Sequence, residues 1–318
     1  MRSIVLIIVF CFVALFGWVS WRTIDFLFIP PSSDNTQVNF DIEPGTAFNN
    51  IAEKLYEQNF IKDKLLFKVL AKVMSATGTM RVGEYALNKN MTPLKILEVL
   101  SSGKSIQYSL TFQEGINMYE IALLIEQKNL GQRDDFLSLC KDKALIKELL
   151  NQDIESLEGY LFPETYLVTK FTGAKKLIQL MVGNFKKAYD SVSQSAKVEM
   201  PLHKLVTLAS IIEKETGAPN ERPMISSVFH NRLKKGMRLQ SDPTIIYGIM
   251  DLNGGKEVNN IRKVDILTKT RYNTYKINGL PYGPIANPGI EALRAALNPA
   301  DSDYLYFVSR NNGTHVFS

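Results

Sequence analysis

Two carboxylates, Glu213 and Glu215, close the most strongly periodic helical segment of the chain, His203 to Glu215. With Leu205 as the origin and about 100° per residue, Val206, Leu208, Ala209, Ile211 and Ile212 form one apolar face. On the same wheel Glu213 falls at about 80° and Glu215 at about 280°, at opposite edges of that face, so the two cannot share one site. A carboxyl at the border of an apolar face is partly desolvated, which raises its pKa and keeps a proton available near neutral pH. General acid catalysis on an acetal needs such a proton. A plain helix end with an exposed, ion-paired glutamate has the same pattern. Periodicity does not choose between Glu213 and Glu215.

The loops that could surround these acids are rich in rings and amides: Leu239 to Thr244 with Gln240, Arg271 to Tyr275, Gly279 to Pro284, and Glu158 to Tyr166. Pyranose C–H faces stack on aromatic rings and sugar hydroxyls take polar partners, so these loops suit a sugar chain; core packing with a tethered hydroxyl suits the tyrosines as well. Asp242 followed by Pro243 has the form of a helix N-cap with proline at the first helical position. His230, inside a predicted helix at 223–235, is expected to be a packing or surface residue, not a catalyst. The three histidines, His203, His230 and His315, have no His or Cys partner at ligand spacing, so no metal site is expected. Cys11 and Cys140 form neither a C-x-x-C pair nor a disulfide framework. No cofactor is expected.

The elements that must position these residues belong to an α+β chain. Its 318 residues allow about two domains. Apolar residues make up 45% and charged ones 22%, with a net charge of +5, which excludes a disordered or collagen-like chain. A mean hydropathy of -0.06 excludes a polytopic membrane protein. Ile4 to Trp21 is uncharged between Arg2 and Arg22 and long enough, at about 27 Å, to cross a bilayer core. The bulky residues of Gly17-Trp18-Val19-Ser20-Trp21 interrupt a signal-peptidase pattern, so the segment is expected to remain as an anchor. Export then excludes nucleic acid as a partner.

Residues 1–22 are read as a cytoplasmic tip and transmembrane helix, and 23–37, with Pro30-Pro31-Ser32-Ser33, as a linker. A small α+β subdomain spans 38–104 and a larger mixed α+β domain 105–318. In the smaller one a helix over Asp63 to Met74 is expected to turn Leu65, Leu66, Val69, Leu70 and Val73 inward. Gly45, Ile51, Ala52 and Asn59 are echoed 70 positions later by Gly115, Ile121, Ala122 and Asn129, a possible internal repeat. Gly217 and Pro219 are expected to stop the helix that carries the two acids, and Asn311-Asn312-Gly313 signals a terminal hairpin.

Several ordered blocks carry a resemblance. Ala209-Ser210-Ile211-Ile212-Glu213-Lys214-Glu215-Thr216, Val228 to Leu233, and Met237 to Thr244 closely resemble the YceG-like family, the endolytic murein transglycosylases. Glu158 to Tyr166, Tyr272 to Tyr275, Gly279-Leu280-Pro281 and Asn298-Pro299-Ala300 look like further family blocks in the family's order. Relatives continue past the final hairpin, whereas this sequence stops at Ser318. The resemblance implies a single-pass inner-membrane protein with a LysM-like subdomain at 38–104 and an extracytoplasmic catalytic domain. Glu213 takes the position of the family's catalytic glutamate. Glu215, Gln240, Tyr272, Asn273 and Tyr275, with Tyr160 and Glu164 of the 158–166 block, are the residues expected to hold peptidoglycan. The implied reaction is lytic cleavage of glycan strands beside peptidoglycan synthases. A hydrolase pairing Glu213 with Glu158, Glu164 or Asp242, and a non-catalytic wall-binding scaffold, are the alternatives.

Overall fold

The computed structural model describes residues 2–215, 218–258, 260–310 and 314–318, which form two compact units. The first is Met1–Tyr108 with Leu167–Phe171, and the second is Ser109–Tyr166 with Thr172–Ser318.

The first unit opens with α1 (Arg2–Phe28). Its stretch Ile4–Phe28 is long and apolar enough to cross a membrane, and its most apolar 18 residues are not buried in protein. The helix outruns the expected boundary at Trp21, because no chain breaker occurs before Pro30. The linker expected from residue 23 therefore begins only after Phe28. Phe26 sits in the core of this unit. Then follow β1 (Val38–Ile42), α2 (Phe48–Glu57), α3 (Lys64–Val73), β2 (Gly83–Leu87) and α4 (Pro93–Ser102). The two strands pair antiparallel with Phe40 opposite Tyr85, and the helices cover one side through Ile51, Leu55, Phe67, Ile96 and Leu100.

Capping fits the sequence. The Asp63 carboxylate accepts from the Leu65 and Leu66 amides, and Thr92 caps α4 ahead of Pro93. In α3 the inward stripe is Phe67 and Ala71, with Leu66 and Leu70 packed beside them, whereas Leu65, Val69 and Val73 are exposed. Two apolar stripes lie side by side on this helix, and the one carrying the aromatic ring took the core.

The chain enters the second unit within β3 (Tyr108–Thr111) and continues through α5 (Met118–Gln127), α6 (Arg133–Cys140), α7 (Lys143–Leu150) and β4 (Thr165–Val168). The helices α8 (Ala174–Ser193), α9 (Leu202–Glu215), α10 (Arg222–Lys234), α11 (Asp242–Leu252), α12 (Lys263–Leu267) and α13 (Ile290–Leu297) follow. The unit ends in β5 (Phe307–Ser309) and β6 (His315–Phe317), paired antiparallel; the expected turn at 311–313 lies outside the described residues, as does the helix stop at Gly217. The sheets described are all two-stranded, so the class is mixed α+β.

The sequence echo has a backbone counterpart. Gly45 and Gly115 both turn at positive φ, 80° and 79°, before α2 and α5, and Asn59 and Asn129 leave those helices at φ 60° and 55°. Left-handed backbone of this kind favours Gly and Asn, which explains why these residues recur at that spacing.

Helix α9 is the centre of the second unit. It packs against α10, α11 and α13, and every residue from Leu205 to Glu213 is buried. A helix covered on so many sides is a stiff mount for whatever its last turn carries.

Candidate active site

Glu213 sits in the last turn of α9 and is 9% exposed. A carboxylate so placed needs donors, and the described residues supply two. Gly289, at the N-terminus of α13, donates its amide to Oε2 at 2.9 Å. Arg222, the first residue of α10, donates Nη2 to Oε1 at 3.0 Å. The turn after β3 closes a further side: a Cβ on Gly115 would lie 3.5 Å from Glu213 Cγ, and Lys214 Nζ donates to the Gly115 carbonyl at 3.3 Å. Glu114, from the same turn, brings a second carboxylate to Arg222, with Oε2 3.6 Å from Nη2. Burial pushes the Glu114 carboxyl up and the nearby Glu213 charge adds to that, while Arg222 opposes them.

A buried polar network fixes the loops that supply these groups. Asn287 Oδ1 accepts from the Gly159 and Leu161 amides, and its Nδ2 donates to the Ile116 carbonyl and to Glu158 Oε1. Backbone bonds from Gly115 N to Asn287 O and from Asn287 N to Ile116 O tie the 115–116 turn to the chain entering α13. Glu158 also accepts from the Met118 amide and the Tyr247 hydroxyl. Burial pushes its carboxyl up to about 8 against those bonds. Glu158, Asn287 and their partners hold Glu114, Gly115 and Gly289 around Glu213.

Glu215 lies apart, as the helical wheel requires. Its Oε1 accepts from Ser241 Oγ, and burial raises its carboxyl while that hydrogen bond opposes the shift. Gln240, at φ 52°, precedes Ser241, and the Tyr275 hydroxyl donates to Asp242 Oδ1 at 2.7 Å. Glu215, Gln240 and Tyr275 thus belong to one polar cluster beside the start of α11. The N-cap there is Ser241, one residue before the expected Asp242, whose carboxylate is taken by Tyr275 instead.

Other expected contacts are interior. Asn273 is fully buried; its Nδ2 donates to the Ile266 and Thr268 carbonyls and its Oδ1 accepts from the Tyr275 amide. Tyr160 is fully buried, edge-on to Phe185, with its hydroxyl 3.0 Å from His203 Nδ1. Tyr272 is buried edge-on against Tyr247 and borders a cavity of about 150 Å³, whose lining includes His203 and Tyr282 but not Glu213. For Asn273 and Tyr160, interior partners hold the groups that the sequence offered to a sugar, whereas Tyr272 borders a cavity. Glu164 accepts from Asn184 Nδ2 at 2.7 Å. His230 packs as expected, with Nε2 donating to the Ala296 carbonyl at 2.9 Å.

Arg222, Gly289 and Glu114 went unread in the sequence. Arg222 stands only nine residues after Glu213, just before a proline that opens a helix, and that much was visible. Gly289 and Glu114 reach the site from 76 and 99 positions away, a juxtaposition no local period encodes.

Among the described residues no group of His, Cys, Asp and Glu is placed to hold a metal. The site is a buried carboxylate with one fixed amide, one guanidinium and a second carboxylate in reach, a set suited to proton transfer.

The chain is 35% identical over 301 residues to an endolytic murein transglycosylase of Bacillus subtilis, covering 89% of this chain and 81% of that one. A protein of the same description from Streptococcus pneumoniae is 29% identical over 298 residues, covering 86% of this chain, which spans only 54% of it. The crystal structure of a YceG-like protein from Listeria monocytogenes matches with a TM-score of 0.57 and 32% identity over 89% of this chain and 96% of that one. The model of the YceG-like family matches residues 40–318, from β1 through the Glu213 helix to the last strand, and the chain belongs to that family.

Proposed function

We propose that the chain is an endolytic murein transglycosylase. It cuts the β-1,4 bond between N-acetylmuramic acid and N-acetylglucosamine within peptidoglycan strands and leaves 1,6-anhydro ends. The observation that carries this reading is Glu213: a buried carboxylate on a stiff helix end, with one oxygen on a fixed amide and the other on a guanidinium. The names of the relatives in Bacillus and Streptococcus support it.

Protonated Glu213 gives its proton to the leaving glycosidic oxygen as the bond to C1 breaks and an oxocarbenium-like state develops. The carboxylate so formed takes the proton of the muramoyl C6 hydroxyl, which attacks C1 and closes the anhydro ring. One glutamate serves both halves because the nucleophile belongs to the substrate, and holding it near C1 exploits intramolecular proximity. No cofactor enters the scheme. Glu215, Gln240 and Tyr275 offer the polar edge of a glycan path, and Glu164 a further polar contact.

In the same reading residues 38–104 are a LysM-like subdomain that grips glycan, and residues 105–318 are the catalytic domain. Helix α1 is a single-pass anchor in the inner membrane with the rest of the chain outside the cytoplasm. There the enzyme ends nascent strands beside the peptidoglycan synthases. Mass spectrometry of sacculi digested by the purified protein tests the chemistry: 1,6-anhydro products are expected, and products carrying an added water mean a hydrolase. Binding of sacculi without release of any product means a scaffold.

A further inference from the structure

We propose that Glu114 is a positioning residue of this site, the carboxylate that takes the Arg222 guanidinium while Glu213 carries its proton. The inference rests on the transglycosylase reading for the role it gives Glu213. As found, Arg222 occupies Oε1 of Glu213 and the Gly289 amide occupies Oε2, so Glu213 has the contacts of the ionised form. A general acid needs the other form, and Arg222 is the contact that must yield.

The surroundings of Arg222 allow that exchange. Its Nη2 lies 3.0 Å from Glu213 and 3.6 Å from Glu114, and its buried Nε has no hydrogen-bond partner among the described residues. One turn further along α10, Ser226 Oγ is also buried without a partner among the described residues. A guanidinium clamped to a carboxylate uses two donors of its fork; this one uses a single Nη2 and leaves Nε idle, so it is held less firmly than such a pair.

The two acids differ in the way the exchange needs. The Glu213 side chain is 5% exposed and the Glu114 side chain 46%, so Glu114 stays solvated in either state and Glu213 does not. Glu114 is also held close: a Cβ on Gly289 would come within 1.9 Å of its Oε1. The charged groups facing the pair are Arg222 on α10, Lys214 on α9 and Glu291 on α13.

With both carboxylates ionised the trio carries one net negative charge, and one proton neutralises it. When Arg222 moves to Glu114, the buried Glu213 takes a proton from solvent on Oε1, because Oε2 remains on the Gly289 amide. That proton leaves for the glycosidic oxygen as the C1–O bond breaks, and the C6 hydroxyl replaces it as the O6–C1 bond forms. The cycle therefore ends with Glu213 protonated and Arg222 on Glu114, as it began.

The test uses the full chain and three variants: Glu114→Gln, Glu114→Asp and Gly289→Ala. The last keeps the amide that holds Glu213, and its backbone at φ −76° accepts alanine, but its methyl displaces the Glu114 carboxylate. Glu114→Gln is expected to lower kcat for anhydro-muropeptide release by about 10- to 100-fold, with KM nearly unchanged and the acid limb of the pH profile displaced. Gly289→Ala should reproduce that loss, and Glu114→Asp should restore part of it. A second readout needs no turnover: the 13C carboxyl signal of Glu213, assigned by its absence in Glu213→Gln, should titrate at a different pH in Glu114→Gln and in Gly289→Ala. Wild-type kcat and pH profile in these variants, with an unmoved Glu213 titration, overturn the proposal. If the wild-type chain releases no anhydro product, the transglycosylase reading fails on its own, and the Glu213 titration still decides whether Glu114 governs its protonation.

Discussion

The two oxygens of Glu213 do different work, which sets what a substitution there does. Glu213→Gln keeps one acceptor and turns the other position into a donor that faces either Arg222 or the Gly289 amide. The mismatch costs about 1–3 kcal/mol, so the variant folds with a lowered melting temperature. It has no proton to exchange, and turnover is expected to fall by about 10³-fold or more, read as anhydro-muropeptide release at fixed enzyme concentration. Glu215→Gln is a different case. Ser241 donates to Glu215, and an amide oxygen in its place still accepts from that hydroxyl. Its kcat should stay within about tenfold of wild type, so a larger loss in Glu215→Gln than in Glu213→Gln reverses the assignment of the two acids.

Helix α9 was readable because its apolar period is strong, and the wheel that separated Glu213 from Glu215 matches their separate partners, Arg222 and Ser241. Helix α3 was misread because two apolar stripes competed and only tertiary packing chose the one with Phe67. The loops were read as sugar-facing because tyrosine and asparagine suit a ligand and a core equally; the structure gives Asn273 and Tyr160 to the core. Asn287 passed unnoticed, since nothing in its neighbours announces four hydrogen bonds. Those bonds join the 115–116 turn, the 158–161 segment and the chain entering α13. Asn287→Ala orphans two buried amides and removes one donor from Glu158, while the Ile116 carbonyl keeps the backbone amide of residue 287, so it should destabilise the chain by about 2 kcal/mol or more in denaturant unfolding and lower turnover with it.

The Glu158 carboxyl in the same network titrates at about 8, above its ordinary 4.5. A carboxyl raised on folding gives its full stability below the unfolded value and loses it as pH rises through the folded one. Stability should therefore decline between about pH 4.5 and 8 and level off above, and Glu158→Gln should remove that decline from the melting temperature measured against pH. An unchanged slope in the variant assigns the decline to other groups.

At the scale of the whole molecule, the apolar helix does not end where the folded part begins. Residues 4–21 expose their apolar side chains, but a turn later Phe26 is 4% exposed among the core residues of the first unit. Beside it Asp25 faces Lys62 at 3.7 Å, and Arg22 faces Asp63, the cap of α3, at 3.6 Å. Those pairs are solvated and worth no more than about 1 kcal/mol each. Burying a phenylalanine is worth about 1.5–3 kcal/mol, so the ring is the stronger tie between the apolar helix and the folded unit. Two shortened chains separate these terms, one beginning at Thr23 and one at Ile29, both running to Ser318. The first keeps Phe26 and, of the ties to the folded unit, loses only Arg22; the second loses the ring together with Asp25 and Leu27 and leaves its place in the core empty. The chain from Thr23 should unfold later in urea, by an amount corresponding to about 2–4 kcal/mol once the unfilled space is counted. Equal midpoints would mean that α1 is joined to the first unit by a free linker after all, as the sequence alone had suggested for residues 23–37.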